Sequence, residues 1–133
     1  MYYVDFEKGC LPSELVVKER KSYGLPDGMV KVAVEAFGVN RADTLQRQGH
    51  YPPPRGESTI LGLEVAGTVS EVASGITNIK EGDRVFGLVA GGGYATEVIV
   101  NPSHLMAIPE GMPFVEAAGL AEVFLTAFQC LRT

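Results

Sequence analysis

The chain has 133 residues, of which 46% are hydrophobic and 20% are charged, a balance typical of one globular domain rather than of a disordered segment. Its formal net charge of −5 gives no electrostatic reason to expect nucleic acid or an anionic membrane surface as a partner. Cys10 and Cys130 form neither a disulfide framework nor a zinc pattern. Because the amino-terminal residues also lack the pattern of a signal peptide, a cytoplasmic protein is expected.

The first part of the chain predicts β-strands. Residues 2–6 and 14–20 read as two strands joined by a turn that contains Gly9 and Pro12. Residues 29–39, MVKVAVEAFGV, alternate between the two faces of a strand, with Val30, Val32 and Val34 on one face.

Residues 40–53, NRADTLQRQGHYPP, predict a short polar helix with Asn40 as a candidate N-cap and Gly49 as its end. Tyr51 and three prolines follow directly. This segment is either an ordinary surface connection or the edge of a binding site, and the residues leave both interpretations open.

The remainder of the chain predicts further strands and then helix. A strand is expected within 63–74, a pair of strands at 83–90 and 94–100 around the three glycines 91–93, and a short strand at 104–109. Residues 114–132, rich in Ala and Leu, predict one or two helices. The longest apolar run, residues 117–131, contains Glu122 and is too short to span a bilayer. Many short strands with Gly and Pro turns favour a barrel or a sandwich.

The three glycines do not form a phosphate-binding loop. A dinucleotide fingerprint places its glycines between a strand and a helix, so that the helix N-terminus faces the pyrophosphate. Here Tyr94 and an extended segment follow the glycines. A hairpin turn that requires positive φ is the preferred interpretation.

Four ordered stretches resemble a known family: GVNRADTLQRQGHYPPP, ILGLEVAGTVSEVASGITNIKEGDRVFGL, GGGYATEV and IPEGMPFVEAAGLAEVFLTAFQ. They resemble the N-terminal, GroES-like domain of the medium-chain dehydrogenase/reductase superfamily, and within it the zinc-free NADPH:quinone oxidoreductases, particularly the p53-inducible quinone oxidoreductase group. The resemblance implies a mainly β fold with short helices, a GroES-like distorted β-barrel whose C-terminal helix leads toward a Rossmann domain that this chain lacks. Residues 1–133 are then the GroES-like catalytic domain.

The resemblance implies that the protein holds no metal. In the zinc alcohol dehydrogenases of this superfamily, the catalytic metal is bound by a Cys in the segment matching 38–43, a His in the segment matching 62–64 and a Cys on the C-terminal helix. This sequence has Asn40, Leu63 and Glu122 at those places. An amide and an isobutyl group do not suit zinc, so zinc-independent hydride transfer is expected.

The same resemblance implies roles for three residues. Asn40 is the expected catalytic residue, as a hydrogen-bond donor to the cofactor carboxamide or to a quinone oxygen, and Tyr51 and Thr126 are expected to bind the cofactor together with Asn40. Each has an ordinary alternative: a helix cap for Asn40, a packed surface aromatic for Tyr51, and for Thr126 a hydroxyl that bonds back to the preceding turn.

Other polar residues near these positions are expected to be structural. Glu64 is expected to be buried and paired, with Arg84 or with an amide. Gln46 and Arg47 are expected to be solvated helix positions.

Two functions from different classes follow. The first is the catalytic-domain portion of an NAD(P)H-dependent quinone or enone oxidoreductase, with NADPH as cofactor and a small-molecule quinone or an electron-poor carbonyl or alkene as acceptor. For this enzyme the resemblance implies a homo-oligomer when full length and no nucleic-acid or membrane partner. The second is a non-catalytic β-barrel module that acts by association, as GroES does. The segment SYGLPDG is too short and polar for a GroES-type mobile loop, and this second interpretation leaves Asn40, Tyr51 and Thr126 without a role.

Overall fold

The computed structural model describes residues 1–132, which form seven strands and three α-helices. The strands are β1 (Tyr2–Asp5), β2 (Val16–Glu19), β3 (Val30–Phe37), β4 (Glu64–Val72), β5 (Arg84–Leu88), β6 (Glu97–Val100) and β7 (Leu105–Ala107). The helices are α1 (Arg41–Gln48), α2 (Phe114–Ala117) and α3 (Ala121–Leu131), with single 3₁₀ turns at Pro12–Glu14 and Pro102–His104. The prediction of a mainly β fold with short helices is confirmed.

The strands form two antiparallel sheets. β1 and β2 pair as the sequence predicted, and the other five strands form a sheet in the order β6-β3-β4-β5-β7. A bridge between Tyr3 and Ala95 joins the β1–β2 hairpin to the segment before β6. None of the helices in residues 1–132 has the length and apolar character that crossing a membrane requires.

The predicted pairing of segments 83–90 and 94–100 is wrong. β6 pairs with β3, whereas β5 pairs with β4 and β7. Gly91 and Gly92 do take positive φ, of 147° and 92°, but they lie in a connection that passes along residues 58–62. A Cβ atom on Gly91 would lie 2.5 Å from the Ser58 carbonyl oxygen, so this close backbone approach requires glycine.

The main hydrophobic core is formed by valine side chains on neighbouring strands of the larger sheet. Val30 and Val32 of β3 and Val65 and Val69 of β4 are at most 1% exposed. These strands are neighbours, and the end of β3 lies opposite the start of β4. Because α1 follows β3 after a short connection, the sheet register brings the first turn of α1 beside the first residue of β4.

Candidate active site

The first turn of α1 is capped in a way that leaves the Asn40 side chain available. Asn40 lies at the N-cap with extended φ and ψ of −119° and 158°, and its side chain makes no cap hydrogen bond. Instead, the Asp43 carboxylate accepts the Asn40 backbone N–H at 2.8 Å, and the Asn40 carbonyl accepts the Asp43 N–H at 3.1 Å. The predicted helix, its cap position and its end at Gly49 are therefore correct, although Asp43 supplies the capping side chain.

The Asn40 side-chain amide binds Glu64 at the start of β4. Its Nδ2 donates to Oε1 of Glu64 at 2.9 Å, and Oε2 of Glu64 accepts the backbone N–H of Glu122 at 2.9 Å. Glu64 is only 2% exposed, so one buried carboxylate joins α1, β4 and α3. The prediction that Glu64 is buried and paired with an amide is confirmed.

Arg84, the other partner that the sequence suggested for Glu64, lies elsewhere. Its Nη2 donates to the Met112 carbonyl at 2.7 Å, and its guanidinium lies 4.5 Å from the centre of the Phe114 ring. Arg84 therefore fastens the segment before α2 to β5.

Tyr94 extends the polar network from the segment that follows the glycines. Its hydroxyl donates to Oδ2 of Asp43 at 2.9 Å, and its ring stacks on Phe37 with 4.3 Å between ring centroids. Burial and the neighbouring Asp43 carboxylate raise the pKa of Tyr94, so its phenol keeps its proton and acts as a donor. Oδ1 of Asp43 is buried and has no partner among residues 1–132.

Glu122, in the first turn of α3, adds a third carboxyl group to this region. Burial raises the pKa of Glu122, and the negative charges of Glu64 and Asp43 raise it further. The site is therefore an acidic cluster with a hydrogen-bonded core, in which Asn40 supplies the amide.

The prediction that Gln46 is a solvated helix position is wrong. Gln46 is 7% exposed, and its Nε2 donates to the Thr59 carbonyl at 3.1 Å. It thereby holds α1 against the segment before β4. Arg47, the next residue, is partly exposed.

Tyr51 and Thr126 are both exposed. Tyr51 has 48% of its surface exposed, and Thr126 lies in the middle of α3. In residues 1–132, neither side chain has a hydrogen bond or ring contact with Asn40, and the Thr126 hydroxyl does not bond back to the preceding turn. Exposure leaves both side chains accessible to a ligand, and the structure does not test their predicted roles.

A cavity of about 750 Å³ lies away from the three predicted site residues. It is lined by the β1–β2 hairpin and by segments 56–60, 90–92 and 97–99. Asn40, Tyr51 and Thr126 do not line it.

The donor set around Asn40 does not fit a zinc ion. Asn40 and Glu122 occupy two of the three ligand positions implied by the resemblance to zinc dehydrogenases; Asn40 binds Glu64 with its side chain and Glu122 with its backbone N–H. The side chains of Asn40 and Glu64 that meet there carry an amide and a carboxylate, whereas zinc sites of this kind use thiolate and imidazole. In the part of the chain that the structure describes, no three His, Cys, Asp or Glu side chains are grouped to hold a metal.

Comparison with protein-family models matches residues 26–110 to the alcohol dehydrogenase GroES-like domain. The chain belongs to this family. The matched range runs from just before β3 to just after β7, and so includes Asn40, Asp43, Glu64 and Tyr94 but not α3.

Similar proteins are longer than this GroES-like chain. It is 38% identical over 124 residues to quinone oxidoreductase-like protein 2 homolog of Nematostella vectensis, covering 92% of this chain and 34% of that protein. It is 39% identical over 108 residues to the polyketide synthase component PikAII of Streptomyces venezuelae, covering 81% of this chain and 3% of that protein. The structure of Escherichia coli quinone oxidoreductase complexed with NADPH superposes with a TM-score of 0.89 at 32% identity, covering 100% of this chain and 41% of that one. The chain therefore spans about a third or less of these curated relatives.

The hydrogen bonds that Tyr94 and the Glu122 N–H make in the site were not predicted from the sequence of this GroES-like domain. The spacing Asn40-x-x-Asp43 is a signal for a reciprocal cap, and it identifies Asp43 locally. No comparable signal connects Asp43 to Tyr94, which is 51 residues away, or Glu64 to the Glu122 N–H, which is 58 residues away.

Proposed function

We propose that this chain is the catalytic-domain portion of an NADPH-dependent quinone or enone oxidoreductase that transfers hydride without zinc. The carrying observation is that the side chain of Asn40, at a position implied to hold zinc in related dehydrogenases, instead binds the buried carboxylate of Glu64. The backbone N–H of Glu122, at a second such position, binds the same carboxylate. Membership of the GroES-like family and similarity to a quinone oxidoreductase complexed with NADPH support the proposal.

Asn40 is the proposed catalytic residue, and it acts by hydrogen bonding. Its amide is held by Glu64, so it offers polar atoms at a fixed position beside the first turn of α1. When bound, NADPH supplies the hydride, whereas the protein supplies orientation and hydrogen bonds. Asn40, Tyr51 and Thr126 are the residues proposed to hold the cofactor, and the exposure of Tyr51 and Thr126 is compatible with that role.

The remaining features of the proposal concern the complete protein. Residues 1–133 form its GroES-like catalytic domain, and a nucleotide-binding domain lies outside this sequence. The acceptor is a small quinone or an electron-poor carbonyl or alkene. The protein is cytoplasmic and homo-oligomeric, and it has no nucleic-acid or membrane partner.

Activity is tested by measuring NADPH oxidation by the complete protein with a simple quinone and with a simple enone. We expect turnover with at least one acceptor, and no turnover above background with the 133-residue chain, because pyrophosphate and ribose bind the nucleotide-binding domain in such enzymes. Failure of the complete protein with every acceptor contradicts the proposed activity. Clear turnover by the 133-residue chain contradicts the proposed division of the site between domains.

Metal content is tested separately, by elemental analysis of protein purified without a metal-affinity step. We expect zinc far below one equivalent. Zinc near one equivalent, with activity lost on chelation, contradicts zinc-independent transfer and favours alcohol dehydrogenase chemistry.

A further inference from the structure

Glu64 determines which way the Asn40 amide faces. An ionised carboxylate only accepts hydrogen bonds, so the group that Asn40 turns toward it must be the Nδ2 donor and not the Oδ1 acceptor. Both oxygens of Glu64 are used, since Oε1 accepts from Asn40 and Oε2 accepts the Glu122 N–H. With the Asn40 amide and the Glu122 N–H both donating to this buried carboxylate, only the observed amide orientation gives each Glu64 oxygen a donor.

The space around Glu64 reinforces this arrangement. Glu64 is 2% exposed, and a Cβ atom on Gly38 would lie 2.0 Å from its Oε1. The carboxylate is therefore enclosed by backbone on the side of Oε1. A rotation that released Asn40 would leave a buried carboxylate oxygen without its donor, which is costly.

The orientation decides what Asn40 offers to a ligand. One Nδ2 N–H is directed to Glu64, so the carbonyl oxygen Oδ1 and the second N–H remain. Asn40 is partly exposed, and its Oδ1 is not among the buried unpaired oxygen atoms of residues 1–132. If the Asn40 amide were flipped, it would offer two N–H donors to a ligand. In the observed orientation it offers the acceptor Oδ1 and only one N–H.

We propose that Glu64 is a positioning residue that fixes the Asn40 amide with Oδ1 available, and that the site thereby prefers a ligand group that donates a hydrogen bond. The chemical class is a primary carboxamide, whose NH₂ group matches Oδ1 and whose oxygen matches the remaining N–H. This choice of ligand group rests on the proposed function, whereas the positioning of Asn40 by Glu64 does not.

Substitutions of Glu64 separate positioning from a merely structural role. Glutamine is nearly the same size, but it has one acceptor and one donor group where two donors converge. In Glu64→Gln, either Asn40 flips, which turns its NH₂ outward, or the Glu122 N–H loses its acceptor. Glu64→Leu has no acceptor at all, so it releases Asn40 in every arrangement. Glu116→Gln is the matched control, because it removes the same charge at an exposed position on α2.

The first measurement is hydrogen exchange of side-chain amides in the ¹⁵N-labelled 133-residue chain, with the Asn40 signals assigned by their loss in Asn40→Asp. Asn101 is an internal reference, because it is exposed and its amide oxygen accepts from Ser103 while its Nδ2 donates to no residue in 1–132. We expect Asn40 to exchange roughly tenfold more slowly than Asn101, as a hydrogen bond to a charged group implies. This difference should be lost in Glu64→Leu and kept in Glu116→Gln.

The second measurement compares binding of nicotinamide mononucleotide and nicotinic acid mononucleotide, which differ in carboxamide against carboxylate. In the complete protein, we expect the unaltered form and Glu116→Gln to prefer the carboxamide by roughly tenfold, and Glu64→Leu to lose most of that preference. Change in unfolding free energy without change in this preference would indicate a structural role only.

The outcomes are distinct. Equal exchange of Asn40 and Asn101 in the unaltered chain overturns the positioning role, and this comparison applies even where Glu64→Leu does not fold. Slow exchange of Asn40 that persists in a folded Glu64→Leu chain, which has no acceptor at position 64, overturns it as well. Absence of binding by either mononucleotide overturns the ligand class together with the proposed cofactor site, while the exchange rates still decide the role of Glu64.

Discussion

The Glu64 carboxylate fills the space that a side chain at position 38 would need, since a Cβ atom on Gly38 would lie 2.0 Å from Oε1 and 2.5 Å from Cδ of Glu64. The backbone N–H of Gly38 also donates to the Glu64 carbonyl at 3.3 Å. Because residue 38 is a glycine without a side chain, the buried Glu64 carboxylate can lie against the backbone just after β3 and bind Asn40.

Gly38→Ala should displace the Glu64 carboxylate from this space. Overpacking of this kind costs about 1–3 kcal/mol of unfolding free energy. Gly24→Ala is the control, because a Cβ atom there meets nothing within 4 Å, and a change below about 0.5 kcal/mol is expected. Urea unfolding of both variants checks this, and equal stability of the two would contradict the packing argument.

Tyr94→Phe should destabilise the chain through Asp43. The substitution removes the hydroxyl that donates to Oδ2, and Oδ1 of Asp43 already lacks a partner in residues 1–132. Loss of a hydrogen bond to a charged group costs about 1.5–3 kcal/mol. Tyr23→Phe, at a residue that is 42% exposed, should be nearly neutral, and denaturant midpoints compare the two. A neutral Tyr94→Phe would mean that the Tyr94–Asp43 bond adds nothing.

Tyr51→Ala should change binding more than stability. Tyr51 is 48% exposed, so its removal should leave the melting temperature nearly unchanged, whereas truncation of a buried aromatic costs about 3–5 kcal/mol. In the complete protein we expect a higher KM for NADPH or for the acceptor. A large loss of stability with unaltered kinetics would assign Tyr51 a packing role instead.

Glu122→Gln should change how stability depends on pH. The pKa of Glu122 is raised by burial and by Glu64 and Asp43, so the folded chain binds its proton more tightly than the unfolded chain. This contribution to stability is fully present below the unfolded pKa and is lost as pH rises through the folded pKa. Glu122→Gln should therefore be more stable than the unaltered chain at neutral pH, with a smaller gain in acid. Thermal unfolding across pH measures this, and a pH-independent difference would contradict it.

The apolar surface of α3 should cause self-association of the 133-residue chain. Its exposed large apolar residues are Val123, Phe124, Leu125, Phe128 and Leu131. Contiguous apolar surface of this kind favours association in water. Light scattering should show a mass that rises with concentration for the unaltered chain and falls toward the monomer for Phe128→Glu. Leu11→Glu, at a 63% exposed position remote in sequence, is the control. A strict monomer at high concentration would contradict the prediction.

The local elements were predictable because their signals are local. Alternating valines identified β3, and Asn40 as N-cap with Gly49 as the end identified α1. The partner of β6 was not predictable in this way. Gly91 and Gly92 indicate positive φ, but positive φ does not determine whether the strands on either side pair with each other or with strands farther away.

The sequence alone determined which chemical groups stand at the candidate site: an amide at position 40, carboxyl groups at 64 and 122, and a tyrosine after the glycines. Only the tertiary structure decided how these groups pair. Asn40 meets Glu64 across 24 residues and Asp43 meets Tyr94 across 51, so their hydrogen bonds depend on strand register and on how α1 and α3 lie against the sheet. Local preferences act over a few residues, whereas register is set by burial of the whole apolar face, and this burial places one acceptor-only carboxylate between two donors.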